Sequence, residues 1–141
     1  MHIRKAKLSD LSTIEHLISK TKEAQMPSGF ELGSSYHKQL IKNGVSLIAE
    51  FEDHFAGFLL AEADKKTGFS FLTYLAIVPK YRGLGLGSKL IGTYLEACKK
   101  RGMRFSALNT YKYNKKAHGF YKKHGFVAGK PMIPFYKKIK S

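Results

Sequence analysis

Tyr81-Arg82-Gly83-Leu84-Gly85-Leu86-Gly87, followed by Ser88 and Lys89, has the make-up of an anion-binding turn. Three glycines in five residues are costly to order, since glycine loses more chain freedom on folding than any other residue. In return the backbone can approach a ligand with no Cβ in the way, and successive N–H groups can point inward. A helix that starts here adds unpaired N–H groups and a partial positive charge. The ligand such a turn takes is a phosphate or pyrophosphate, and Arg82 and Lys89 add charge at its rim. The spacing is not that of a P-loop, because Ser88 separates Gly87 from Lys89. Nor is it the dinucleotide fingerprint, which needs glycine where Ser88 stands, usually at a first strand and with an acid about twenty residues on. Taken alone, the loop could also be a tight strand-to-helix turn.

The elements around the loop follow from periodicity. Residues 1–7 form a first strand. Ser9 or Asp10 caps a helix with Leu11, Ile14, Leu17 and Ile18 on one face. Residues 25–33 are a turn-rich loop, and a second helix runs from Ser34 to Asn43 with Gly44 suited to its C-terminal cap. Val45–Phe51 and Phe55–Ala63 pair as a hairpin, and Phe69–Val78, almost wholly apolar, is a central strand running into the glycine loop. Leu86, Leu90, Ile91, Tyr94, Leu95 and Cys98 mark the apolar face of the helix after the loop, which Gly102 ends. Arg104–Thr110 is a further strand and Asn114–His124 a short helix with Ala117, Phe120 and Tyr121 on one face. Strands near Phe126–Ala128 and Ile133–Ile139 close the chain. The order βααβββαβαββ is that of one α/β domain over residues 1–141, with helices covering a mixed sheet.

Two segments in this order carry a more specific pattern. Leu75-Ala76-Ile77-Val78-Pro79-Lys80-Tyr81-Arg82-Gly83-Leu84-Gly85-Leu86-Gly87 resembles the acetyl-CoA-binding segment of the GNAT N-acetyltransferase superfamily, with Arg82, Gly85 and Gly87 at its Arg/Gln-x-x-Gly-x-Gly/Ala positions. Downstream, Asn114, Ala117, Tyr121, Gly125 and Phe126 match a second segment of that family. The resemblance implies a GNAT-like mixed sheet with a splayed parallel strand pair and helices on both faces. It implies acetyl-CoA as cosubstrate, its pantetheine arm lying along Ile77 and Val78 much as an added strand does. The N–H groups of Gly83, Leu84, Gly85, Leu86, Gly87 and Ser88 would take the pyrophosphate, beside Arg82, and backbone N–H near Ile77 could stabilise the developing oxyanion. Asn114 would bond the cofactor, or serve only as a helix cap. Tyr121 would act as general acid, protonating the thiolate as it leaves, and would itself lie in the cofactor site. The activity implied is direct attack of a primary amine on acetyl-CoA in a ternary complex. The acceptor could be a small amine, a peptide N-terminus or lysine, or an aminoacyl-tRNA. The alternative is a non-catalytic GNAT-like module that binds CoA or nucleic acid.

One position departs from the family. Many of its members carry a glutamate near position 73 or 74, and this chain has Thr73 and Tyr74. Candidate bases for the amine proton are Glu62, Glu31 or a water chain near Tyr74. A phenol titrates near 10 when unperturbed, so Tyr74 would need a lowered pKa to serve.

Charge and composition narrow the setting. The net charge is +15. Residues 1–70 hold nine basic and nine acidic side chains, whereas residues 71–141 hold sixteen basic and a single acid, Glu96. CoA phosphates explain part of that asymmetry. The remainder, interleaved with Tyr111, Tyr113, Phe120 and Phe135, suits either RNA, tRNA or a ribosomal surface, or a plain solvated face. No apolar run reaches the ~20 residues of a membrane span, and the N-terminus lacks the apolar core of a signal peptide. One cysteine, Cys98, allows no internal disulfide and reads as a buried small side chain. These features point to a cytoplasmic protein without membrane contact. The six histidines show no metal-ligand spacing and no metal is expected. The protein could be a monomer or a homodimer.

Overall fold

The structure, a computed structural model, describes residues 1–140. Its sheet grows outward from a hairpin. Strand β2 (Val45–Phe51) turns at Glu52 and Asp53, both left-handed at φ 50° and 65°, into β3 (His54–Asp64). Two left-handed central residues match the right-handed twist of the flanking strands. Strand β1 (His2–Lys5) pairs antiparallel with β2, and β4 (Phe69–Ile77) antiparallel with β3. Strand β5 (Phe105–Ala107) lies parallel to β4, so the sheet order β1-β2-β3-β4-β5 is the chain order.

Both faces of the sheet are covered, which is why the central strands read as nearly unbroken apolar runs. Alternate residues go to opposite layers. Ile48, Phe58, Leu60 and Tyr74 meet α1 (Leu11–Lys20) and α2 (Ser34–Asn43) through Ile14, Leu17, Leu40 and Ile41. Leu47, Ala49, Leu59, Ala61 and Leu72 meet α3 (Leu86–Lys100) through Leu86, Leu90, Ile91, Tyr94 and Cys98. Cys98 is buried, as its helical position implies, and is in no disulfide. Gly44 closes α2 with φ −87°, not in the left-handed conformation expected of a glycine cap. What requires glycine there is space, because a Cβ would stand 2.0 Å from the Ala61 carbonyl oxygen. Asp10 precedes α1 without capping it. Its carboxylate instead accepts both outer guanidinium nitrogens of Arg4 at 2.9 Å and the Lys7 N–H at 2.7 Å, tying β1 to the start of α1.

The parallel pair diverges early. Leu60 pairs with Tyr74 and Ala61 with Leu72, so Thr73 is an extra residue, a β-bulge that bends β4 and increases its twist. Pairing with β5 covers only Phe69–Phe71, on the near side of that bulge. From residue 72 to 77 the β5-facing edge of β4 is free of strand pairing, a run of roughly 17 Å at about 3.3 Å per residue. The junction itself is pinned by the buried Tyr94 hydroxyl, 2.7 Å from Ser70 Oγ and 2.6 Å from Ser106 Oγ.

The C-terminal part departs from expectation. Strand β5 is three residues long, shorter than Arg104–Thr110, and the two strands expected near Phe126–Ala128 and Ile133–Ile139 are not formed. Pro131 and Pro134 have no N–H to donate to a ladder, and Gly129 weakens strand order further. This tail leaves Val127, Phe135 and Ile139 at least 90% exposed. Tyr136 packs against Phe30, ring centroids 5.4 Å apart.

Candidate active site

The glycine loop lies between the free edge of β4 and the start of α3. A short 3-10 turn, Pro79–Tyr81, leads into it, and Arg82 Nε bonds back to the Ile77 carbonyl at 3.1 Å. Gly83 and Gly85 have φ of +79° and +84°, a region that side chains other than glycine rarely occupy. Gly85 is the N-cap of α3, and the first bond across that end runs from Lys89 N–H to the Gly85 carbonyl at 3.1 Å. The N–H groups of Leu86, Gly87 and Ser88 therefore precede the helical ladder and face out of its positive end. Gly87 has a different duty. Its φ is not positive, but a Cβ would sit 3.4 Å from the Phe120 ring, so glycine lets the next helix approach.

That helix, α4 (Lys115–Lys123), is capped by Asn114, whose Oδ1 accepts the Ala117 N–H at 3.2 Å. The capping role is thus observed, and among the described residues the Asn114 amide nitrogen donates to no protein group. Tyr121 stands edge-on to Phe120 and Phe126, at 5.1 and 5.6 Å between centroids. Burial pushes its phenol up to about 12, so it stays protonated at neutral pH and has a proton to donate. His124, whose place on the short basic helix could bring it to the cofactor or a partner, has its Nε2 3.0 Å from Ser88 Oγ and ties α4 to the loop. The arrangement is a free strand edge, a glycine turn leading into a helix N-terminus at its end and a neutral phenol on the helix packed against that turn.

The candidate bases separate clearly. Glu62 receives the Tyr36 hydroxyl at 2.5 Å, and the same hydroxyl is 3.0 Å from Thr73 Oγ1, on the bulge. Glu31 turns away, its carboxylate accepting the Gly29 N–H at 3.0 Å beside Lys138. Tyr74 moves opposite to what a base needs, because burial, followed by the nearby Glu15 charge, pushes its phenol up. Its hydroxyl is 3.1 Å from Nε2 of His37, whose Nδ1 is 2.6 Å from Glu15 Oε2. His37 and Glu15 were not singled out by sequence reasoning. A histidine on the sheet-facing side of α2 was the only signal for them.

The model of the "Acetyltransferase (GNAT) family" matches residues 11–126, most of the chain. The chain belongs to the GNAT acetyltransferase family. A putative [ribosomal protein bS18]-alanine N-acetyltransferase of Bacillus subtilis is 30% identical over 132 residues, covering 90% of this chain and 81% of that protein. N-alpha-acetyltransferase 30 of Schizosaccharomyces pombe is 33% identical over 94 residues, 64% of this chain, and the match spans 63% of the length of that relative. In fold, the GNAT chain superposes on Arabidopsis thaliana Naa50, solved with the bisubstrate analogue CoA-Ac-MVNAL, with a TM-score of 0.80 at 22% identity, over 99% of this chain and 91% of that one. The mixed sheet with its parallel β4–β5 pair and two covered faces is thus the GNAT architecture. Among the described residues no three His, Cys, Asp or Glu side chains cluster as metal ligands, and no helix is long and apolar enough to cross a membrane.

Proposed function

We propose that this GNAT protein transfers the acetyl group of acetyl-CoA to a primary amine by direct attack in a ternary complex, and that the amine is the N-terminus of a protein. The observation that carries the reading is the free β4 edge running into a loop with two left-handed glycines. The N–H groups of residues 83–88 hold the pyrophosphate, with Arg82 at the rim. The pantetheine arm runs back from the loop along Val78 and Ile77 towards the bulge, bonded like an added strand. That direction carries the thioester along β4 from Ile77 towards the bulge at Thr73, between the sheet and α4. Asn114 has an amide donor to offer the cofactor, and Tyr121, neutral and partly buried, protonates the sulfur as the C–S bond breaks. The choice of a protein N-terminus is supported by the relatives named for that reaction and by the peptide portion of the analogue bound to Naa50. The basic second half would favour an acceptor presented near RNA, as a ribosomal protein is.

The test is acetyl-CoA-dependent thiol release with alanine- and methionine-initiated peptides, internal-lysine peptides, polyamines and aminoacyl-tRNA. Turnover of the N-terminal peptides is expected. Tyr121→Phe should lower kcat by about 10²-fold or more with acetyl-CoA affinity retained, the usual scale for a lost general acid. Tight acetyl-CoA binding with no turnover of any amine would favour a non-catalytic binding module instead.

A further inference from the structure

Two adjacent residues of α2, Tyr36 and His37, contact the two β4 positions, Thr73 and Tyr74, where the strand lacks a carboxylate. Each contact leads on to an acid. On one branch Tyr36 connects Thr73 to Glu62. On the other, His37 connects Tyr74 to Glu15. The second branch is built for proton transfer. His37 is only 4% exposed and uses both ring nitrogens. Ser34 Oγ donates to the same Glu15 oxygen at 2.7 Å. An ionised carboxylate can only accept, so the hydrogen lies on Nδ1; Nε2 of the neutral ring then accepts, and the Tyr74 hydroxyl donates to it. A carboxylate that fixes the tautomer and steadies an imidazolium is the logic of a hydrolase triad. The Glu15 side chain is 30% exposed, so the chain of bonds runs from the bulge to solvent.

We propose that Tyr74, His37 and Glu15 form the relay that takes the proton of the acceptor amine, a role that rests on the N-acetyltransferase reading above. The ammonium N–H bond breaks and its proton goes to the Tyr74 oxygen, while the Tyr74 proton passes to His37 Nε2. The imidazolium is held by Glu15 and releases its proton to solvent. The freed nitrogen lone pair forms the C–N bond and the C–S bond breaks. The second proton lost by nitrogen restores the Tyr121 phenolate left when Tyr121 gives its proton to sulfur, so one proton per turnover reaches solvent. Histidine exchanges protons near neutral pH, whereas a threonine hydroxyl does not, which separates this branch from the other. The groups around His37 are Glu15 from α1, Tyr74 from β4 and, beside Glu15, Lys38; β2 and β3 supply apolar Ile48, Phe58 and Leu60 to the layer.

The experiment measures kcat and KM against pH for wild type, His37→Gln and Glu62→Gln, with an alanine-initiated peptide and the other amines of the panel. Glutamine can bond to Glu15 and Tyr74 but cannot carry a proton. Expected is a loss in kcat of about 10²-fold at pH 7 that shrinks as pH rises and the amine itself deprotonates, with KM for acetyl-CoA unchanged. If His37→Gln does not fold, Tyr74→Phe, which removes only the hydroxyl, carries the same expectation. Histidine ¹⁵N NMR on the wild type should show the Nδ1–H tautomer, a readout independent of turnover. A wild type inactive on every amine overturns the acetyltransferase reading and the relay with it. An active wild type with a His37→Gln loss under threefold, with a loss that does not change with pH, or with the defect found in Glu62→Gln instead, overturns the relay alone.

Discussion

Gly85→Ala separates the two demands that the loop makes on one residue. An added Cβ at Gly85 meets nothing within 4 Å, so any cost is conformational and not steric. Holding an L-residue at φ +84° costs about 1–2 kcal/mol, which for a chain of this size is a fall in Tm of roughly 3–8 °C. Relief comes from leaving the left-handed region, and that rotates the Leu86 N–H at the helix end. A hydrogen bond to a charged group is worth about 1.5–3 kcal/mol, so losing one to the pyrophosphate should weaken acetyl-CoA binding about 10- to 150-fold. Asparagine tolerates the left-handed region better than alanine. Gly85→Asn should therefore keep most of the stability. Differential scanning fluorimetry reads the first effect and isothermal titration with acetyl-CoA the second. An unchanged Tm in Gly85→Ala would refute the conformational argument. An unchanged Kd would refute the placement of the pyrophosphate, whatever the Tm does.

Other substitutions probe the frame around the site. Gly44→Ala drives a Cβ onto the Ala61 carbonyl at 2.0 Å and should cost at least about 3 kcal/mol in urea unfolding, or prevent folding. Tyr94→Phe leaves Ser70 and Ser106 without their shared partner, and should cost about 1–3 kcal/mol by the same measurement. Asp10→Asn should cost about 1–2 kcal/mol at pH 7, the range for hydrogen bonds to charged groups. The bonds from Arg4 hold the Asp10 carboxyl below the usual carboxylate range against the opposing effect of burial. A group with a depressed folded pKa stabilises above its unfolded value, near 3.9, and loses that contribution as pH falls through the folded value. Wild type and Asp10→Asn should therefore converge in stability as acid is added below about pH 4, which a pH series of melting curves checks.

Much of the fold was legible because it is local. The spans Ser34–Asn43 for α2 and Val45–Phe51 for β2 agree with expectation, and the helix after the loop begins at Leu86 as its apolar face implies. Apolar periodicity reports what one element buries, so elements buried on a broad face announce themselves. Pairing is another matter. Nothing in the pattern of Arg104–Thr110 says that β5 stops at Ala107, nor that Ile133–Ile139 finds no neighbour, because a strand is completed by a partner it does not encode. The bulge at Thr73 was hidden for the same reason, since it exists only as a mismatch between β3 and β4. The loop glycines were visible as a group, but their separate duties, φ at Gly83 and Gly85 and the approach of Phe120 at Gly87, required coordinates. The His37 network was the least legible part. Its members come from α1, α2 and β4, and neither Glu15 nor His37 looked different from a surface charge or a packing side chain.

The agreement of sheet order with chain order also bears on how the molecule assembles. From β1 to β4 each strand lies beside a sequence neighbour, and β2, β3 and β4 are joined by turns of a few residues, so this meander closes with little loop entropy. Strand β1 must wait for the α1–α2 connection, and β5 for the α3 crossover, before their pairs form. Short sequence separations favour early formation. The antiparallel meander is thus the expected nucleus, with the α3–β5–α4 half docking onto a sheet already made. The cofactor site proposed above would lie on that late seam, where few backbone bonds oppose local opening and the two halves can part with the rest of the sheet intact.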